Sequence, residues 1–167
     1  MPEPIIWNRD FDTGIAEIDF QHRNLVRMFN KADAGLSDES SVGVWEHVLH
    51  EFLGYAIYHF WTEEDLAHQY GYGREKMDEA AEHFEHHRSF AEQINLIRAR
   101  MRSGEKIRKA ELIDYLRDWL THHIVDNDTW LVAFILEKQR QASRALSGVD
   151  RSADSQNTAS GMSTVTE

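Results

Sequence analysis

The sequence has no cysteine and very little proline. Without cysteine, the chain of 167 residues cannot form disulfides, thiolate zinc sites or iron–sulfur clusters, and it offers no cysteine nucleophile. Its two prolines are Pro2 and Pro4, so proline interrupts no helix in the rest of the chain. Glycine is also sparse, and the main breaks after Asp19 fall between Gly35 and Gly43, at Gly71 to Gly73 and at Ser103–Gly104.

Basic residues and long apolar runs are scarce as well. The 18 Lys and Arg residues face 29 Asp and Glu residues, which gives a net charge of -11. This balance argues against a nucleic-acid partner and against an anionic membrane surface. There is no apolar run long enough to cross a membrane, and the first residues lack a basic segment followed by an apolar one. The sequence therefore predicts a cytoplasmic protein, which we expect to be a monomer.

Apolar residues recur at helical spacing, and no segment alternates in the way a strand does. The predicted fold is all-α, an up-down-up-down four-helix bundle with an ordered N-terminal loop. The predicted helices span residues 19–36, 41–70, 75–102 and 107–140.

The two ends of the chain have different compositions. Residues 5–17 contain Ile5, Ile6, Trp7 and Phe11, which need a surface to pack against, so we expect an ordered loop. The segment 141–167 is rich in small polar residues and has almost no large apolar side chain, so we expect a disordered polar tail. The predicted domain is therefore 1–140.

Histidines and a glutamate occupy positions that the helical periodicity assigns to the core. His59 and Glu63 are four residues apart, as are His83 and His87, and this spacing places both side chains of a pair on one side of a helix. An ionised Glu63 in a dry core would cost several kcal/mol unless it is paired or coordinated. We therefore interpret these residues as metal ligands.

The two remaining helices supply three further candidates. His22 and His123 lie on the apolar stripes of the first and last helices, and Asp128 follows His123 by five residues. Five residues correspond to about 140° beyond one full turn of an ideal helix. Either the two side chains serve different metals, or a one-residue π-bulge brings them together.

The candidate ligands number five imidazoles and two carboxylates, which is too many for one tetrahedral zinc. Two ions with about six positions each offer about twelve, of which five imidazoles, two bridging carboxylates and a bridging oxide or hydroxide fill about eleven. One position would remain for a small ligand. The alternative, a bundle of unrelated core histidines, would leave Glu63 and Asp128 without partners.

Four segments of the chain resemble the hemerythrin family, in particular its bacterial members. Residues 14–25 resemble I-D-x-Q-H-x-x-L, residues 59–64 resemble H-F-x-x-E-E, residues 83–90 read H-x-x-x-H-x-x-F, and residues 119–128 resemble W-L-x-x-H-I-x-x-x-D. The resemblance covers roughly residues 5–137.

This resemblance implies a non-haem di-iron centre with an oxo or hydroxo bridge that binds dioxygen reversibly. By analogy, His83, His87 and His123 would hold one iron, His22 and His59 would hold the iron with the open position, and Glu63 and Asp128 would bridge the two. The matching positions for the wall of the oxygen pocket are Leu25, Phe60, Trp119, Leu120 and Ile124.

The chain departs from the family pattern between Glu63 and His83. This link is longer than the family leads us to expect, and we expect a loop or an added helical turn near residues 71–80 to absorb the difference. The choice of His83 and His87 over His86 depends on the register of this helix. We interpret His86, together with His47, His50, His68 and His122, as surface residues or as residues that support the ligands.

Three functions remain open at this point. The first is a dioxygen-binding protein for storage, delivery or sensing, which would not be an enzyme. The second is a di-iron oxidase, peroxidase or nitric oxide-reactive enzyme on the same site. The third is a signalling module that would need a separate protein partner, because no output domain is attached. The ratio of five imidazoles to two carboxylates favours reversible binding, since ferritin-like di-iron proteins use more carboxylates.

Overall fold

The computed structural model describes residues 3–157, and within that range the fold is all-α with no strand. The helices are α1 (Ala16–Gly35), α2 (Val42–Tyr70), α3 (Tyr72–Glu75), α4 (Met77–Arg102), α5 (Lys109–His122) and α6 (Asp128–Asn157). A π-helical segment, His123–Asn127, joins α5 to α6, so these two helices form the fourth long rod. The predicted up-down-up-down bundle is confirmed. No helix among the described residues has the length and apolar character needed to cross a membrane.

The bundle helices begin and end at residues suited to helix caps. Ser41 precedes α2, and its hydroxyl accepts a hydrogen bond from the backbone N–H of Val44. Gly71 ends α2 with a φ of 78°, a left-handed conformation that glycine adopts without steric cost. Short connections of this kind keep consecutive helices antiparallel and adjacent.

The N-terminal loop packs onto the bundle as predicted, with one exception. The Ile5 backbone and the Asn30 side chain exchange two hydrogen bonds of 2.9 Å each. Phe11 is buried, and Ile5 and Trp7 pack partly buried against the core. Ile6 is 74% exposed, so the expectation that it packs is wrong: its neighbours Ile5 and Trp7 already occupy the inward-facing positions.

The apolar core has two parts with a polar layer between them. The larger cluster fills the end of the bundle near the α1–α2 and α4–α5 loops, and it includes Leu25, Phe52, Phe90 and Leu116. A smaller cluster, formed by Ala67, Tyr72, Ala80, Leu131 and Ile135, lies at the other end. Along α2, α4 and the fourth rod, the buried histidines and carboxylates lie between the residues of these two clusters.

Two segments differ from a plain four-helix pattern. The extra length between Glu63 and His83 forms α3, as the expected added turn, and α3 buries Tyr72 completely in the smaller cluster. Helix α6 continues to Asn157, past residue 140 where we placed the helix end. Its residues 141–146 are mostly good helix formers, and each added residue gains one backbone hydrogen bond, so the helix propagates beyond its packed part. The rest of the predicted tail, residues 158–167, lies outside the described residues.

Candidate metal centre

All seven predicted ligands meet in the polar layer. Their nitrogen and oxygen atoms form two groups in which the donor atoms lie within 4.8 Å of one another. The first group contains His22, His59, Glu63, His123 and Asp128, and the second contains Glu63, His83, His87 and Asp128. Both carboxylates belong to both groups, as a pair of bridging ligands requires. Each of the seven residues is at most 4% exposed.

Every long helix of the bundle contributes to this layer. His22 comes from α1, His59 and Glu63 come from successive turns of α2, and His83 and His87 come from successive turns of α4. The structure thus brings His83 and His87, rather than His86, to the centre. The four-residue spacings place each pair on the inner face of its helix, as the sequence predicted.

The fourth rod contributes His123 and Asp128 through the π-helical segment. The backbone N–H of Asp128 donates to the carbonyl of His123, five residues earlier, instead of to the residue four earlier. This wider turn places His123 Nδ1 only 3.4 Å from Asp128 Oδ1. The predicted π-bulge is confirmed, and it explains how a five-residue spacing can serve a single site.

The polar atoms of the centre lie close together, but few of them form hydrogen bonds with one another. The Nε2 atom of His59 lies 3.1 Å from that of His22 and 3.0 Å from that of His123. Glu63 Oε2 lies 3.1 Å from His87 Nε2. Even so, both carboxylate oxygens of Glu63 and of Asp128 lack a hydrogen bond of normal geometry to any described residue. Buried polar atoms without partners are costly, so the donors fit an arrangement completed by metal ions.

The two carboxylates respond differently to burial. Burial raises the pKa of Glu63, but the surrounding imidazoles, foremost His59, outweigh burial and hold its pKa well below the usual range. Burial and the charge of Glu63 together raise the pKa of Asp128 to about 6, against the opposing effect of His22. In the metal-free chain, Asp128 therefore takes up a proton below about pH 6 while Glu63 stays charged. Cations in the site would favour the charged form of both carboxylates.

The pKa values of the ligand histidines are also shifted in opposite directions. Burial lowers the pKa of His59 to about 3, although Glu63 opposes this, and burial lowers the pKa of His123 well below its ordinary value. Burial also acts to lower the pKa of His83, but its contact with Glu63 and the charge of Asp128 raise that pKa to about 9. His59 and His123 are therefore neutral at pH 7, and the neutral imidazole is the form that binds a metal ion.

The outer nitrogens of three ligand histidines have defined partners. His59 Nδ1 lies 2.9 Å from the Gln21 side-chain oxygen, His87 Nδ1 lies 3.2 Å from Glu64 Oε1, and His83 Nδ1 lies 3.2 Å from the Asn127 carbonyl. Each arrangement places the proton on Nδ1 and leaves Nε2 free to face the centre. Sequence reasoning assigned these three residues no role. Their positions could have indicated such a role, since Gln21 and Glu64 each lie beside a ligand residue within the quoted motifs.

Apolar and aromatic side chains surround the centre on the side of the larger cluster. The ring of Phe60 stacks on His87 at 4.0 Å between centroids, and Trp119 stacks on His123 at 4.5 Å. The five residues predicted to line an oxygen pocket are all buried within the larger cluster, namely Leu25, Phe60, Trp119, Leu120 and Ile124. The site therefore has a dry wall on this side.

The five histidines outside the ligand set do not join the metal-binding groups. His47, His50, His68 and His122 are all exposed. His86 is half-buried, and its ring stacks against Trp119 and His123 with centroid distances of 5.4 and 5.7 Å. His86 therefore packs against the ligand residue His123 and is not itself a ligand candidate.

The comparisons with known proteins agree with this arrangement of donors. Residues 13–135 match the family model described as "Hemerythrin HHE cation binding domain". The chain is 30% identical to a bacteriohemerythrin of Pseudomonas aeruginosa strain LESB58, over 77% of this chain and 79% of that protein.

Two further relatives extend the comparison. Identity is 32% with a bacteriohemerythrin of Stenotrophomonas maltophilia strain R551-3, over 74% of this chain and 76% of that protein. It is 27% with a hemerythrin-like protein of Naegleria gruberi, over 77% and 91% respectively. The bundle has four long helices and buries five imidazoles and two shared carboxylates between them. Because the family model also matches most of the chain, this protein belongs to the hemerythrin family.

Proposed function

We propose that the centre holds two iron ions and binds one dioxygen molecule reversibly, for storage, delivery or sensing rather than for turnover. The observation that carries this proposal is the donor set: five imidazoles and two carboxylates, all buried, with both carboxylates shared between two groups. Sulfur-free nitrogen and oxygen donors of this kind suit first-row metals, iron among them. When bound, the iron pair would supply the two electrons that reversible dioxygen binding requires.

The ligands would divide between the ions as three imidazoles and two. By family resemblance, His83, His87 and His123 would hold the fully coordinated ion, and His22 and His59 the ion with an open position. In this structure, the donor atoms of His123 lie with those of His22 and His59 instead. The proposal therefore includes a rotation of the His123 ring toward His83 and His87 when the ions bind.

The protein itself would hold the site dry and keep the ligands in the correct protonation state. The rings of Phe60 and Trp119 cover His87 and His123 directly. Leu25, Leu120 and Ile124 exclude water from the same side, since all three are buried. Gln21 fixes the orientation of His59 from behind. Such a wall favours release of intact dioxygen over irreversible oxidation of the iron.

Metal analysis and visible spectroscopy of the same sample test the proposal. Protein purified without added metal should contain two iron atoms per chain. The reduced protein should gain a charge-transfer band in air and lose it under argon over repeated cycles. A single zinc ion would contradict the metal assignment. Continuous oxygen consumption with an added reductant would favour the oxidase or peroxidase alternative on the same site.

A further inference from the structure

One surface pocket reaches a ligand of the metal centre. It has a volume of about 470 Å³ and lies between the start of α4 and the π-helical segment. Three carboxylate residues, Glu79, Glu82 and Asp126, line it together with His83. His83 is 4% exposed and is the most accessible of the seven ligands.

His83 connects this pocket to the centre through its two ring nitrogens. Its Nδ1 atom donates to the carbonyl of Asn127, which also lines the pocket. Its Nε2 atom lies 3.4 Å from Glu63 Oε2 and has no hydrogen-bond partner among the described residues. The ring of His83 therefore lies between the pocket, where it forms part of the wall, and the metal centre, which its Nε2 atom faces.

The charge of the pocket is negative. Lys76 pairs with Glu79 at 3.1 Å and offsets part of its charge. Glu82 and Asp126 form no ion pair or side-chain hydrogen bond with any residue between positions 3 and 147. Two uncompensated carboxylates in a concave surface raise the local concentration of cations and speed their association.

We propose that this pocket is the route by which divalent metal ions enter the centre. Glu82 and Asp126 attract the hydrated ion, and the ion passes from them to His83 and then to Glu63. The inference rests on the proposed metal centre but does not depend on dioxygen binding. It gives Glu82 and Asp126 a role in the rate of metal uptake and none in the finished site.

The test measures how fast metal-free protein takes up Co²⁺, which develops ligand-field absorption as imidazoles bind it. In a stopped-flow experiment at low salt, the E82Q/D126N variant should load roughly tenfold more slowly than the unmodified protein. Its final spectrum and Co²⁺ stoichiometry should be unchanged. In about 1 M salt, where the screening length is near 3 Å, the difference should disappear.

The matched control is E39Q/E111Q, which removes the same charge at the opposite end of the bundle. Glu111 precedes His123 by twelve residues on the same rod, which is about 18 Å of helix. This control should load at nearly the rate of the unmodified protein. E82K provides a second variant outside the π-helical segment, and it should slow uptake further than the loss of one charge does.

Three outcomes would overturn the route. Equal slowing by the pocket and control variants would show that only net charge matters. A smaller final Co²⁺ signal in E82Q/D126N would make these carboxylates part of the bound site. If the unmodified protein bound no Co²⁺ at all, the proposed metal centre and the route would both fail.

Discussion

The larger apolar cluster and the polar layer differ in what stabilises their buried side chains. In the cluster, residues such as Phe52, Leu116 and Ile94 need only one another, because apolar side chains gain free energy simply by leaving water. In the polar layer, Glu63 and Asp128 are equally inaccessible, yet their oxygens lack hydrogen bonds. The chain itself supplies all the contacts that the cluster needs. The polar layer needs partners for its carboxylate oxygens that the chain does not supply.

This difference shows how a single helical periodicity can encode two kinds of core. The same stripe on α2 carries Phe52, Ala56, His59, Glu63 and Ala67 in order, all of them buried. The apolar members of the stripe can stabilise the bundle with or without ligands. The polar members make stability depend on metal ions, and this dependence can be measured.

Removal of the metal ions should have the largest effect on stability, and this effect should come from the polar layer. Ions that bind the folded chain and not the unfolded one, present at about a thousandfold above their dissociation constant, add about 4 kcal/mol to the free energy of unfolding. For a chain of this size, that loss lowers the melting temperature by roughly 10 °C. Differential scanning calorimetry with and without a strong chelator measures the shift.

Glu63→Gln serves as the control for this measurement. It preserves the shape of the side chain but removes the charge that a bridging ligand needs, so its melting temperature should respond much less to the chelator. Equal melting temperatures of the unmodified protein with and without chelator would show that the polar layer is stable without ions.

Two leucines of α5 allow the boundary between cluster and layer to be located. Leu116 and Leu120 are both fully buried, one turn apart, and Leu120 is the nearer to His123. Replacement of either by alanine should cost about 2–5 kcal/mol in the free energy of unfolding. Only Leu120→Ala should also speed oxidation of the reduced, oxygen-exposed protein, by several-fold, because it opens the dry wall beside the centre.

Absorbance of the iron centre during incubation in air measures that oxidation. The Leu116→Ala protein is the matched control, since it loses the same atoms from the same helix. Equal oxidation rates in the two variants would remove Leu120 from the pocket wall.

Much of the polar layer could be predicted from the sequence because it follows from spacing. Four-residue intervals fix the direction of His59 relative to Glu63. The five-residue interval from His123 to Asp128 left two alternatives, different metals or a π-bulge, and the structure has the π-helical segment. These are properties of a single helix, which local sequence determines.

The residues behind the ligands could not be predicted in the same way. The contact between Gln21 and His59 joins α1 to α2, and the contact between Glu64 and His87 joins α2 to α4. Such contacts depend on the rotation of each helix and on side-chain rotamers, which periodicity alone does not specify. The exposure of Ile6 and the extension of α6 past residue 140 were missed for a related reason, because neither is set by an apolar pattern.

Acid should destabilise the metal-free protein through the polar layer. The pKa of His59 is lowered to about 3 and that of His123 also lies well below its ordinary value of 6.5. Burial also lowers the pKa of His86, which stacks on His123, to about 4. Below pH 6.5, the unfolded chain therefore binds about three protons on these histidines that the folded chain does not bind. Asp128, with a pKa of about 6, offsets about one of them in the folded state. The net difference is about two protons, so the free energy of unfolding should fall by on the order of 2–3 kcal/mol per pH unit between pH 6.5 and 5.

The alkaline side should show the opposite slope. His83 has its pKa raised to about 9, so its contribution is complete below pH 6.5 and is lost as the pH rises toward 9. Urea unfolding of the metal-free protein across pH 5–9 should therefore give maximum stability between about pH 6.5 and 7. Replacement of His59 by phenylalanine should weaken the acid slope, whereas an unchanged slope would show that His59 does not contribute to it.

The last prediction concerns Gln21, the uncharged hydrogen-bond partner of His59. Gln21 accepts from His59 Nδ1 and donates to the Thr62 hydroxyl at 3.0 Å, so it holds one ligand ring between two helices. Gln21→Leu keeps the site closed but removes the acceptor, which frees the ring to rotate and to change tautomer. Loss of such a partner lowers metal affinity by about 10- to 100-fold. Competition with a chelator of known affinity measures the change.

Two variants separate the positioning of His59 from simple packing. Thr62→Val removes only the far contact of Gln21 and should change metal affinity much less than Gln21→Leu does. Gln21→Glu restores an acceptor for His59 and should recover most of the lost affinity, because Glu64 already holds His87 through a carboxylate. If Gln21→Glu bound metal as weakly as Gln21→Leu, the amide would matter for its packing and not for its hydrogen bond. Recovery would instead establish that the polar layer depends on partners one contact beyond the ligands.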